Sequence, residues 1–135
     1  MVFELNAQFI TERRSVTAEY RGGSIVVETP GGPVFAHSLA RAVSIACEAI
    51  GPLMERADRV GEGWGLMVSA GPASVAYGNW PRNPPREPTP ELEGLRRILD
   101  QYRPGDGARG ALNNAAKVIE AFAEHQRRRR HSSAA

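Results

Sequence analysis

Polar and apolar residues alternate over the first thirty positions. Phe3, Leu5, Ala7 and Phe9 are separated by Glu4, Asn6 and Gln8, and Val16, Ala18 and Tyr20 by Thr17 and Glu19. A period of two is what a strand shows when one sheet face is buried and the other is wet. Arg21-Gly22-Gly23-Ser24 reads as a tight turn, and the β-branched run Ser24–Thr29 reads as a third antiparallel strand. Pro30-Gly31-Gly32-Pro33 is expected to stop the sheet, because proline cannot donate to a ladder.

From about Ala36 the period changes to that of a helix. Leu39, Val43, Ala46, Ile50, Leu53 or Met54, and Ala57 share one stripe, with Gly51-Pro52 expected to kink or divide the helix. Gly61-Glu62-Gly63 ends it. Trp64, Leu66 and Val68, then Val75 and Tyr77, alternate about the turn Ala70-Gly71-Pro72-Ala73 and predict a second hairpin. Half of the ten prolines fall between Pro81 and Pro90, a composition that favours extended connector chain.

Thr89 as cap, Pro90 at the first helical position and the acids Glu91 and Glu93 announce another helix with the stripe Leu92, Leu95, Leu99 and Tyr102. Arg103-Pro104-Gly105 ends that helix. A last helix opens at Asp106 or Gly107 and buries Leu112, Ala115, Ile119, Phe122 and Ala123. The expected architecture is α+β: an antiparallel sheet of about five strands in the order β-β-β-α-β-β on one long helix, then a C-terminal αα-hairpin. The chain divides into a sheet-and-helix core over 1–80, a proline-rich connector over 81–90, a helical hairpin over 91–126 and a basic tail over 127–135. The first eighty residues are expected to close the core on their own, leaving the later helices free for contacts.

Composition narrows the chemistry. The chain has 135 residues, 41% of them apolar, which suits one globular domain and excludes wholesale disorder. It has no apolar run of membrane-spanning length and no basic leader before an apolar core, so a soluble, cytoplasmic protein is expected. Cys47 is the only cysteine, so neither an intrachain disulfide nor a cysteine-cluster metal site can form. Formal net charge is +2, and the run Arg127, Arg128, Arg129 and Arg130 supplies four positive charges, which leaves the rest of the chain at −2. One lysine against sixteen arginines reflects a GC-rich genome.

Candidate contact residues lie late in the chain. Trp80 beside the prolines either packs the connector on the sheet or anchors a partner, and Arg82-Asn83-Pro84-Pro85-Arg86-Glu87-Pro88 has the Arg-x-x-Pro-x-x-Pro spacing of a polyproline ligand. Arg127, Arg128, Arg129 and Arg130 are the candidate nucleic-acid contacts. If all four paired with phosphate, the salt slope would be about −3.6. Gly61-Glu62-Gly63-Trp64-Gly65 leads from helix to strand, the reverse of a phosphate loop, and reads as a turn. His37 and Cys47 stand ten residues apart, too far along a helix to act as base and nucleophile.

These observations assign no catalytic residue, metal ligand or cofactor. The expectation is a small non-enzymatic interaction or assembly protein of the kind carried by phages and mobile elements. It would engage a protein partner or a second copy of itself through Trp80, Arg82 and Arg86. The alternatives are a nucleic-acid-associated protein acting through its arginine tail, and a sheet domain or enzyme that binds a small molecule.

Overall fold

The alternation at the N-terminus becomes the centre of a sheet. The computed structural model describes residues 2–70, 73–81 and 96–133, with residues 73 and 128–133 described by backbone alone. Strands β1 (Phe3–Phe9), β2 (Glu12–Arg21), β3 (Ser24–Thr29) and β4 (Gly32–Ala36) precede helix α1 (Leu39–Val60). Strands β5 (Trp64–Ala70) and β6 (Ala73–Gly78) follow, and the last helix, α2, spans Gly107–Ser133. The six strands lie in the order β4-β3-β2-β1-β5-β6, all neighbours antiparallel.

Register follows from which face each side chain must occupy. Leu5 stands opposite Val16 on one side and Val68 on the other, and Leu66 stands opposite Ala7 and Tyr77. These residues share the face covered by helices, and a slip of one position would turn the whole set to solvent. Glu4, Asn6 and Gln8 occupy the opposite face.

The sheet has one strand more than the sequence suggests. Pro30 and Gly31 form a two-residue turn instead of ending the sheet, and Gly32–Ala36 pairs back on β3. Pro33 is tolerated because β4 is an edge strand, where a residue without an N–H can face away from its neighbour.

Helix α1 starts at Ser38, whose hydroxyl accepts the Arg41 N–H at 3.1 Å, and ends at Gly61 in the left-handed region, φ 86°. It runs unbroken through Pro52 and buries Ala42, Val43, Ile45, Ala46, Ile50, Leu53, Met54 and Ala57. Helix α1 covers β1 to β4, while α2 packs beside it on β5 and β6.

That second contact corrects the expectation that residues 1–80 close the core by themselves. Ala108, Ala111, Leu112, Ala115, Val118, Ile119 and Phe122 belong to the same buried cluster as Phe3, Leu5, Ile50 and Leu66. The four large side chains among them contribute roughly 6–12 kcal/mol at about 1.5–3 kcal/mol each, comparable with the whole stability of a domain. Helix α2 also continues to Ser133, past the expected end near residue 126, because arginine is a good helix former and no glycine or proline interrupts the run.

Candidate interaction surface

Three places outside the apolar core carry structure of possible chemical use: a buried polar junction under α2, the open face of the sheet, and the β4 edge. At the junction, the Tyr77 hydroxyl donates to Asn114 Oδ1 at 2.6 Å, and Asn114 Nδ2 donates to the Ile98 carbonyl at 2.7 Å. Tyr102 meets the Tyr77 ring edge-on at 5.1 Å between centroids. Asn114 therefore ties strand β6 and the helical turn at residues 96–99 to α2. Burial and then the neighbouring Tyr102 push the Tyr77 phenol well above its ordinary range. Tyr102 is raised by burial and then by Asp106 and Asp58.

Beside the junction, Asp58 of α1 accepts the backbone N–H groups of Ala108 at 2.6 Å and Arg109 at 3.1 Å. A side chain from one helix thus caps the start of the other and places negative charge at its positive dipole end. Arg109 also pairs with Glu55 at 3.0 Å. Every group at this junction is engaged in holding the fold together. Among the described side chains, every buried polar atom has a hydrogen-bond partner.

The residues weighed for catalysis stay apart. His37 is exposed and precedes the cap of α1, whereas Cys47 is half-buried on the helix. Burial, with smaller effects from Glu120 and Glu48, pushes the Cys47 thiol up to about 11, which disfavours the nucleophilic thiolate. Among the described residues no three histidine, cysteine or acidic side chains lie together as a metal set. No helix there is long and apolar enough to cross a membrane.

Trp80 is half-buried on the sheet face away from the helices. Its N–H bonds to the Tyr77 carbonyl at 3.3 Å, and its backbone lies so close over Gly65 that a Cβ there would meet Trp80 N at 2.8 Å. Arg82 and Arg86 lie outside the described residues. Arg127 is exposed, and Arg128, Arg129 and Arg130 continue the backbone of α2.

The β4 edge is the feature that sequence reasoning missed. Its residues, Gly-Pro-Val-Phe-Ala, include no charge, and Phe35 is 67% exposed. Val34 is also exposed, but it stands opposite Val27 on the side covered by the helices. Phe35 stands opposite Val26 on the helix-free face. Val26 is only 1% exposed although it lies outside the main core cluster, so the patch has an apolar floor. The signal was the apolar run Val34-Phe35-Ala36 directly after a turn, hidden by reading Pro33 as a terminator.

No protein-family model, curated protein or solved structure matches this chain.

Proposed function

We propose that this protein is a non-enzymatic interaction or assembly protein that engages its partner along the β4 edge. The observation that carries the reading is Phe35, a large apolar side chain left two-thirds exposed on an edge strand without a charged residue. Soluble proteins normally blunt such edges with lysine, bulges or covering elements, since an open edge recruits further strands. Pro33 blunts only the start of this one. Strand addition uses such an edge for affinity and the exposed side chains for specificity.

The polar groups at the junction support the same reading, because buried Tyr77 and Asn114 and exposed Asp58 are each committed to neighbouring elements. Trp80 follows β6 and lies over Gly65 of β5, on the side of the sheet away from β4, and provides a second surface for comparison.

The test is copurification of tagged wild-type, Phe35→Lys and Trp80→Ala chains from cells that also express an untagged copy. A partner retained by wild type and Trp80→Ala but lost by Phe35→Lys supports the edge. Loss with Trp80→Ala alone moves the contact to the connector end, and retention by both variants removes both surfaces.

A further inference from the structure

The occupant of the β4 edge can be argued from the edge itself. Pro33 has no N–H to give, and in an antiparallel ladder alternate residues turn both backbone groups toward the same neighbour. The turn Pro30-Gly31 is closed by the pair Thr29 and Gly32, which puts Val34 in the phase that bonds β3 and Pro33 with Phe35 in the phase that faces outward. Phe35 therefore presents its N–H and its C=O to solvent, side by side, at the middle of the exposed part of the strand.

We infer that a second copy of this chain adds to the sheet by antiparallel pairing of β4 with β4 about a two-fold axis at Phe35. This rests on the edge being the contact surface, as proposed above, and names what fills it. A two-fold axis at Phe35 lets each copy's Phe35 N–H donate to the other's Phe35 carbonyl, satisfying both exposed groups with nothing left over. It also sets the two Phe35 rings directly opposite one another on the helix-free face, an aromatic cross-strand pair.

Charge is consistent with self-pairing. A two-fold axis places identical residues face to face, so any charge at the centre would oppose itself, and β4 has none. The opposite edge, β6, lacks this character. The described side chains there include no large exposed apolar group, and just beyond the strand the chain folds back through the Trp80 bond to Tyr77.

The experiment uses the full chain. Wild type is expected to show a concentration-dependent monomer–dimer equilibrium by sedimentation and light scattering. Phe35→Glu and Phe35→Lys each weaken it by roughly tenfold or more while keeping the wild-type circular dichroism and melting profile. Mixing the two variants restores association, because opposite charges now face each other across the axis. In a Cys47→Ser background, Phe35→Cys forms a disulfide-linked dimer with oxidised glutathione, since directly opposed residues of a hydrogen-bonded pair stand about 5.5 Å apart, within disulfide reach. Glu28→Cys, away from the axis, does not.

A wild-type chain that stays monomeric at every concentration overturns the second copy as occupant, while the edge reading is judged separately by the copurification of other proteins. A dimer indifferent to Phe35→Glu, with no cross-link through Phe35→Cys, overturns the inference and places self-association on another surface.

Discussion

The Tyr77 hydroxyl and the Asn114 side-chain carbonyl meet at 2.6 Å although they stand 37 residues apart, one on the strand next to the connector and one on the last helix. Because Asn114 also donates to the Ile98 carbonyl, it holds two otherwise separate pieces of chain against one helix. Replacing Tyr77 with Phe leaves one buried acceptor without its donor and should cost about 1–3 kcal/mol. Asn114→Ala strands both the hydroxyl and the carbonyl and should cost more, about 2–5 kcal/mol with the cavity included. Urea unfolding of the two variants and their double mutant checks this. The double mutant should be less unstable than the sum, since each change already breaks the shared bond.

The Asp58 cap gives a second prediction. Asp58→Ala removes the acceptor for Ala108 and Arg109 and should destabilise by about 1 kcal/mol, measurable as a lower melting temperature. Gly107 sits beneath the same carboxylate at φ 74°, and a Cβ there would lie 2.5 Å from Asp58 Oδ1. Gly107→Ala should therefore cost more than the cap alone, from both backbone strain and the close approach. Adding Asp58→Ala to Gly107→Ala should recover part of the loss if the approach matters, and none of it if the backbone conformation is the whole cause.

The sheet and α1 were legible because their signals are local. Phe3 to Phe9 alternate whatever lies opposite them, and the stripe from Val43 to Ala57 needs only helical geometry to be read. The role of α2 was not legible in the same way. Leu112, Ile119 and Phe122 announce that the helix buries a face, but an apolar stripe does not say which surface covers it, and here that surface is β5, β6 and α1. Pro33 misled because its meaning depends on whether the strand is central or at an edge, a property of the finished sheet. The Asn114 contacts were hidden for the related reason that its partners lie far away in sequence. Its place among Ala111, Ala115 and Val118, in phase with the buried face, was the available hint. Phe35 became visible only once β4 existed.

The shared core leads to a truncation prediction. A chain ending at residue 81 keeps every strand and α1 but uncovers Leu66, Val68 and Tyr77, which α2 shields on β5 and β6. It should fail to fold cooperatively, seen as loss of a sigmoidal denaturation curve and as dye binding to exposed apolar surface. A chain ending at Gln126 retains Leu112, Val118, Ile119 and Phe122 and should keep most of the wild-type stability. Cooperative folding of the shorter chain would show that α1 and the sheet suffice.

Cys47 offers a test of how closely α2 lies against α1, because the group that raises its thiol most after burial is Glu120, on α2. With the thiol pushed up to about 11, alkylation by iodoacetamide near pH 8 should be roughly two-hundredfold slower in the native chain than in urea, where the thiol reverts to about 8.5. The sign for stability follows from the direction of the shift. Folding favours the protonated thiol, so its contribution is fully present below the unfolded value and is lost as pH rises from there through about 11. Raising the pH from 8 toward 11 should lower the urea midpoint, and Cys47→Ser should show a smaller decline over the same window. Glu120→Gln should speed native alkylation modestly by removing a negative charge that opposes the thiolate. An unchanged rate in Glu120→Gln would mean that Glu120 does not act on the Cys47 thiol, leaving burial and Glu48 to set its reactivity, and the helix contact would then have to be probed by the Asp58 cap instead.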